Sequence, residues 1–249
     1  MEIFVKDNYK AKYSSQYSDQ TDEWRRLGAI RKSKNILEIT KGEVFKRVLE
    51  VGAGDGSILK YLSEQNFSNE FYAVEISESG LKQIVSKEIK HLVNAQLFDG
   101  YHLPFADKFF DLVILTHVLE HVEHERLLLR ELHRVAHKVV LEVPKDYRFA
   151  ADKKIKHFLS YGHINIYTPT FLKFLVLTER FEVLDESYKL YDKEIFLFGK
   201  NTYLSKLKAN LDYFGKKALT SIPIDYLKFK FISTITLYLK SNHKESEIF

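Results

Sequence analysis

Short runs of β-branched and aromatic residues alternate along this chain with stretches in which apolar side chains recur every three or four positions. The runs at 47–51, 71–76, 92–97, 110–115 and 138–143 read as strands, and the connections between them are long enough for crossover helices. Such spacing predicts βαβ units and a mostly parallel sheet with helices on both faces. Ahead of the first strand, Thr21 followed by Asp22 and Glu23 can cap a helix that carries Trp24, Leu27, Ile30, Ile36 and Leu37. A second helical pattern, 122–136, gathers Leu127, Leu128, Leu132 and Val135 on one side, and Thr168-Pro169 opens a third that runs to 178. Runs at 181–188 and 231–240 supply a sixth and a seventh strand, with an amphipathic stretch at 203–219 between them. Between the fifth strand and Thr168 the chain changes character. Tyr147, Phe149, Phe158, Tyr161 and Tyr167 crowd around Lys153, Lys154 and Lys156, which reads as an insertion and not as a core element.

The 249 residues fit one α/β domain. It divides into an N-terminal helical segment (1–45), a core (46–200) and a C-terminal addition that includes the last strand (201–249). No apolar run approaches the roughly 20 residues that span a bilayer. The first ten residues mix Glu2, Lys6, Asp7 and Lys10, unlike the apolar centre of a secretion signal, so the expected location is cytoplasmic. The chain has no cysteine, which removes disulfides, thiolate metal sites and covalent thiol catalysis. Its formal charge of +4 is concentrated near the C-terminus, where Lys200, Lys206, Lys208, Lys216, Lys217, Lys228, Lys230 and Lys240 face only Asp212 and Asp225. A solvated face is the first reading of that stretch, and peripheral contact with an anionic membrane is the second.

The chemistry concentrates where the first strand runs into Glu50-Val51-Gly52-Ala53-Gly54-Asp55-Gly56-Ser57 and a helical pattern follows at once with Ile58, Leu59 and Leu62. Glycines at such a turn let the backbone bend sharply and approach a ligand where a Cβ would collide. Glu75, at the end of the second strand, is placed to accept hydrogen bonds from the ribose hydroxyls of an adenosine. The spacing is G-x-G-x-G, whereas a dinucleotide fingerprint puts its third glycine three positions after the second, and no G-K-[ST] phosphate loop is present. An adenosine ligand without a pyrophosphate follows.

Residues Glu50 to Gly56 resemble the first motif of class I S-adenosylmethionine-dependent methyltransferases. The resemblance continues in order through Glu75-Ile76-Ser77, Asp99-Gly100-Tyr101-His102-Leu103-Pro104-Phe105, Phe110-Asp111-Leu112-Val113 and His117-Val118-Leu119-Glu120-His121-Val122. Within that class the chain is similar to the methyltransferase type 11 group, which includes enzymes like those of ubiquinone and menaquinone biosynthesis. The likeness spans about 47–183 and takes in Gly162-His163-Ile164 and Tyr167-Thr168-Pro169. It implies a Rossmann-like fold with a seven-stranded, mostly parallel sheet, an N-terminal helical lid to which Tyr13 and Tyr17 would belong, and a helical, aromatic C-terminal addition. It further implies that Glu50, Gly52, Ala53, Gly54 and Gly56 hold the methionine part of S-adenosylmethionine. Glu75 would hold the ribose, Asp99 and the Gly100 amide the adenine edge, Ile76 and Leu103 its faces, and His117 would lie beside the sulfonium. The implied reaction moves a methyl group in line to an oxygen or nitrogen of a small molecule such as a sugar or a lipid-linked intermediate.

An acceptor that loses a proton calls for a base, and His117, His163 and His121 are the candidates, each weighed against a plain hydrogen-bonding role. His117-x-x-Glu120-His121 also matches a zinc-peptidase pattern, but it falls at a strand end and not on a helix. Some methyltransferases of this type hold a divalent ion through glutamate and histidine at the same place, usually with an acid where this chain has His117. No metal is assigned. Thr116-His117-Val118-Leu119 lacks the [N/D]-P-P-[Y/F] motif of adenine-modifying DNA enzymes, and the lysines lie far in sequence from the cofactor motifs, which argues against RNA. The alternatives are a methyltransferase acting on protein or RNA and a non-catalytic binding module. The segments at 147–167 and 203–219 are expected to shape the acceptor pocket.

Overall fold

A computed structural model describes residues 22–147, 156, 158 and 161–242. Thr21, the two lid tyrosines (Tyr13 and Tyr17), Phe149, Lys153 and Lys154 lie outside the described residues. Helix α1 (Asp22–Ile39) leads into strand β1 (Phe45–Val51), and the first crossovers follow as α2 (Ser57–Glu64), β2 (Ser68–Glu75), α3 (Glu78–Ser86) and β3 (Leu92–Leu97). Next come β4 (Phe110–Thr116), a 3-10 turn (Leu119–His121), α4 (Glu125–Val135), β5 (Ala136–Pro144), α5 (Pro169–Thr178) and β6 (Phe181–Lys189). Three helices, α6 (Lys193–Leu197), α7 (Tyr203–Thr220) and α8 (Asp225–Phe231), precede the last strand, β7 (Thr234–Ser241). The seven strands form one sheet in the order β3-β2-β1-β4-β5-β7-β6. All pairings are parallel except those of β7 with β5 and β6.

Local chemistry explains where the helices begin. The Ser77 hydroxyl accepts from the Gly80 amide and Glu78 sits in the first turn of α3, while Thr168 caps α5 and Pro169 occupies its first turn. The central strands are buried on both faces, so consecutive residues belong to different cores. Leu49, Val113, Leu115, Val139 and Leu141 pack with Leu128, Leu129, Leu132 and Val135 of α4 and with Leu172 and Leu175 of α5. Val48, Leu112, Ile114 and Val140 point the other way, onto Ile36 and Ile39 of α1, Leu59 and Leu62 of α2 and Ile84 of α3.

Three expectations need correction, and a further finding concerns the helix at 203–219. Leu129, and not Leu127, completes the buried face of α4. Tyr167 belongs to the core, 1% exposed, with its hydroxyl on the Leu119 carbonyl at 3.3 Å. Phe231 ends a helix and does not open the last strand. Asp225 in the first turn of α8 and Lys228 and Lys230 in its last oppose the helix dipole favourably, and Phe229 packs on the core from there. Finally, of the helix covering 203–219 only Ala209 is buried, so its apolar face turns away from the body of the protein. No helix among the described residues is long and apolar enough to cross a membrane.

The topology defines one functional edge. Strands β1 to β6 run in one direction, so Val51, Glu75, Leu97, Thr116, Pro144 and Lys189 all end on the same rim. β7 starts there too, with Thr234 opposite both Pro144 and Lys189. Ligands of open α/β sheets bind at this rim.

Candidate functional site

The glycine turn sits at the carboxyl end of β1. Gly52, Gly54 and Gly56 have φ of 70°, 58° and 76°, in the left-handed region that side chains avoid. A Cβ on Gly52 would stand 2.5 Å from Val118 Cγ2. The Gly52 and Ala53 amides donate to the Val74 carbonyl at 2.9 and 3.2 Å, fastening the turn to β2. Glu75, 3% exposed, locks it from the side: Oε2 accepts from the Gly54 amide at 2.9 Å, and Oε1 accepts from the Ser77 amide and hydroxyl at 3.1 and 3.0 Å. Burial raises the Glu75 carboxyl, and the Gly54 and Ser77 donors pull it back.

Gly80, which sequence reasoning missed, supports this turn from α3. A Cβ there would lie 2.7 Å from the Gly54 carbonyl oxygen and 2.9 Å from Glu75 Cγ. Gly80→Ala is therefore expected to push the turn outward at a cost of about 1–3 kcal/mol, read as a lower unfolding midpoint in denaturant. An unchanged midpoint would mean that α3 does not brace the turn.

Glu50 ends up 2% exposed, with Oε2 lacking any hydrogen-bond partner. Burial pushes its carboxyl well up, against the pull of the Lys32 ammonium. A buried carboxylate oxygen without a donor is costly to keep, and an incoming cation satisfies it. At the end of β3, Asp99 Oδ1 accepts from the Tyr101 and His102 amides at 2.8 and 2.7 Å, and His102 Nδ1 lies 2.6 Å from Oδ2. Against the cost of partial burial, those amides hold the Asp99 carboxyl below its ordinary value. The Phe98 amide donates to the Glu75 carbonyl at 3.1 Å, so Asp99 and Glu75 leave adjacent strand ends. Leu103 is pinned by its amide on Glu131 at 2.9 Å and its carbonyl on Arg134 at 2.8 Å, while Ile76 packs half-buried on the core. Gly100, at φ 100°, gives the bend that presents its amide.

A second group gathers beyond β4. His117, at φ 55°, has Nε2 3.1 Å from Glu142 Oε1 and 3.3 Å from Arg31 Nη2, and Nδ1 3.6 Å from Glu120. Burial and the nearby Lys32 lower His117 to about 3, so its ring is neutral. Glu142 also accepts from Arg31 Nη1 at 3.0 Å, Asn35 Nδ2 at 2.7 Å and Thr236 Oγ1 at 2.9 Å. Helix α1 is thereby latched onto the rim through a buried ion pair that the sequence reading did not anticipate. A signal was present in the lone acid within Val139-Val140-Leu141-Glu142-Val143, because a charge in a strand buried on both faces needs partners. Lys32 joins the same cluster. Burial and Arg31 lower its ammonium, against the pull of Glu142, Glu120 and Glu50.

His121 and His163, 42 positions apart, come together because the chain from Gly162 wraps the 3-10 turn. The Ile164 and Asn165 amides donate to the Glu120 carbonyl at 2.9 and 3.0 Å, and Asn165 Nδ2 bonds the Val122 carbonyl at 2.7 Å. The two imidazole rings meet edge to face at 4.9 Å. His121 Nδ1 pairs with the Gly162 carbonyl at 3.0 Å and His163 Nδ1 with the Asp146 carboxylate. Against the cost of burial, Asp146 raises His163. Glu120 is 1% exposed, neither carboxylate oxygen has a hydrogen-bond partner, and burial raises its pKa. Ligating atoms of Glu120, His121 and His163 all lie within 4.8 Å of one another. The expected residues thus fall into two adjoining sets on one rim, and Arg31, Lys32, Asn35, Asp146 and Glu142 join them.

The donor set fits an adenosyl sulfonium: an unpartnered buried carboxylate for its ammonium, an acid held at the second strand end for its ribose, and an acid after the third for its amino group. Comparison with known proteins agrees. Residues 49–139 match the family profile of a methyltransferase domain. YrhH of Bacillus subtilis (strain 168) is 31% identical over 91 residues, 36% of this chain and 51% of that protein. The ubiquinone/menaquinone biosynthesis C-methyltransferase UbiE of Cupriavidus pinatubonensis is 29% identical over 94 residues, 36% of this chain and 38% of its own. The chain thus spans about half or less of the length of these relatives. In fold it is similar to a chain from the complex of the Haloferax volcanii Trm112 methyltransferase activator with a methyltransferase, at TM-score 0.70 and 13% identity, covering 93% of this chain and 98% of that one. Over residues 49–139, within a seven-stranded Rossmann-like sheet, the chain is similar to the methyltransferase-domain family.

Proposed function

We propose that the protein transfers a methyl group from S-adenosylmethionine to an oxygen or nitrogen of a small molecule. The observation that carries this reading is the unpartnered, buried Glu50 oxygen beside a glycine turn locked onto Glu75. When bound, S-adenosylmethionine supplies a methyl already activated by positive sulfur. The residues of the chain therefore have to bind, align and exclude water more than to activate. Glu50 takes the ammonium, Glu75 the ribose and Asp99 the adenine amino group, with Ile76 and Leu103 against the ring. His117, neutral and held by Glu142 and Arg31, forms a fixed wall. His163, oriented by Asp146, is the group placed to take the acceptor's proton at Nε2. His121, tied to the Gly162 carbonyl and lowered to about 4 by burial, is the second candidate.

Calorimetry with S-adenosylhomocysteine and with NAD tests the cofactor assignment. Binding of the first alone is expected, and binding of NAD instead would overturn it. With an acceptor found by panel, His163→Asn should lower kcat by about 10²-fold or more while leaving S-adenosylhomocysteine affinity unchanged, and should remove the rise of rate with pH through the histidine range. An unaltered rate would leave alignment alone as the mechanism. The UbiE relative is named a C-methyltransferase, so the position of the transferred methyl in the product also tests the oxygen-or-nitrogen assignment.

A second reading, metal assistance, is favoured by Glu120, whose two buried oxygens have no hydrogen-bond partner next to His121 and His163. His121 Nε2 lies 3.9 Å from Glu120 Oε1, and the hydrogen bonds at Nδ1 orient both rings, as in metal sites with an oriented outer shell. An ion there would polarise the acceptor oxygen as a Lewis acid. Loss of activity in a chelator with return on adding Mg²⁺, Mn²⁺ or Zn²⁺ would support it, and full activity in the chelator would eliminate it.

A further inference from the structure

We infer that α7 is a membrane-docking helix, seating the carboxyl rim of the sheet on an anionic lipid surface. An ordinary surface helix turns its apolar stripe inward. In α7 the order is reversed. Tyr203, Leu204, Leu207, Leu211, Phe214 and Ala218 follow the three-to-four spacing of a single stripe, and that stripe faces solvent: Leu204 is 75% exposed, Leu211 67% and Phe214 55%. Toward the protein it turns Ala209, its one fully buried residue, and half-buried Tyr213, whose ring meets Phe196 at 5.5 Å. Contiguous exposed apolar surface of this kind on a soluble fold marks an interaction face.

The borders of the stripe say what covers it. At 100° per residue, Lys206 and Lys217 fall along one edge and Lys208 along the other. A cationic margin on both sides of an apolar stripe is the arrangement of helices that lie in the headgroup region, with aliphatic side chains among the acyl chains and ammoniums among lipid phosphates. After the helix Ile224 and Tyr226 are also exposed, and the Lys230 ammonium stands over the Tyr226 ring at 4.1 Å. A second copy of this chain is a poor occupant. Facing two such stripes would align rows of Lys206, Lys208 and Lys217, while the one acid of the helix, Asp212, lies outside the stripe and is paired with Lys216 at 2.6 Å.

The helix also has a functional position. It belongs to the segment from 190 to 233 that leaves β6 at Lys189 and returns at Thr234, both on the rim that carries Glu50, Glu75 and His117. Docking would therefore hold that rim at the bilayer surface. Resting on the methyl-transfer reading above, the acceptor is then an amphiphile that partitions into lipid.

The full chain, without cofactor, should co-sediment with vesicles of phosphatidylcholine containing phosphatidylglycerol, bind pure phosphatidylcholine vesicles far less, and be released by salt. The double substitution Leu207→Glu and Leu211→Glu, on exposed positions, should cut partitioning by about tenfold or more with the circular dichroism spectrum unchanged. Lys206→Glu with Lys208→Glu and Lys217→Glu should abolish the preference for anionic vesicles. No partitioning, or partitioning indifferent to these changes, overturns the inference. So does a dimer in light scattering that Leu211→Glu converts to monomer, which would give the face to a second copy. Calorimetry with S-adenosylhomocysteine on the same Leu207 and Leu211 variant keeps the two readings apart, since retained affinity with lost vesicle binding touches docking alone.

Discussion

Glu75→Ala is expected to weaken S-adenosylhomocysteine binding by about a hundredfold while the protein stays folded. A hydrogen bond to a charged group contributes about 1.5–3 kcal/mol, and the substitution removes two kinds at once. On the proposed assignment a contact from Glu75 to a ribose hydroxyl is lost directly, and the Gly54 amide loses the partner that fixes the glycine turn at 2.9 Å. A loss of about 3 kcal/mol corresponds to that hundredfold. Asp99→Ala should cost less, about tenfold, because Asp99 is more exposed and its amide partners can turn to water. Calorimetry on both variants decides the matter: unchanged affinity in the two together would detach the site from these carboxylates. Retained circular dichroism is required, since Glu75 also orders the start of α3 through Ser77.

The second large effect concerns stability. Arg31→Met leaves Glu142, whose side chain is 1% exposed, without its hydrogen-bonded cation, with Lys32 as the remaining nearby charge. Breaking a buried pair from one side costs about 3–5 kcal/mol, and the surviving donors Asn35 and Thr236 place the expectation at the lower end, about 3 kcal/mol. For a chain of this size that corresponds to a melting temperature lower by roughly 6–12 °C. Adding Glu142→Gln to Arg31→Met should restore part of the loss, because it removes the stranded charge. A double variant no better than the single one would show that the pair acts only as packing. His117 gives the latch a pH dependence. Burial and Lys32 lower it to about 3 in the native protein, against about 6.5 when unfolded. The unfolded state therefore binds the proton more readily across that interval, and stability falls as pH drops from about 6.5 toward 3. At pH 5 the contribution is on the order of 2 kcal/mol. Because the raised Glu50 and Glu120 carboxyls act in the opposite sense, the test is the difference between melting curves of the protein and of His117→Asn at pH 7 and 5: the variant should lose less stability, or gain more, on acidification.

What the sequence disclosed and what it withheld divide along physical lines. The alternation of Val48 and Leu49, or of Leu112 and Val113, sends neighbours to opposite cores, and continuous apolar runs of that kind are legible without coordinates. The glycine turn is equally local: bend, strand end and following helix lie within a dozen residues. Glu75, Asp99 and His117 follow from strand ends, which the same pattern marks. The Arg31–Glu142 pair lies 111 residues apart, and no local rule brings α1 to β5. His163 was recognised as a residue type, but its Asp146 partner depends on how the segment before Tyr167 folds over the 3-10 turn. Tyr167 itself was read as insertion because aromatics beside lysines look like surface, whereas its hydroxyl reaches the Leu119 carbonyl from inside. The amphipathic pattern of 203–219 is legible as well. Periodicity gives the existence of an apolar face, not the direction in which it points.

Lys189 and Thr234 stand opposite each other on neighbouring antiparallel strands, so everything from 190 to 233 is, in topological terms, a hairpin tip grown to three helices. The rungs of the sheet do not fix its length, and apart from anchors such as Phe229 and Ile232 its content is exposed to change. Substitutions, insertions or wholesale exchange in that tip can retune what the rim meets while the glycine turn and the strand ends of β1 to β3, at the far side of the sheet, keep their register.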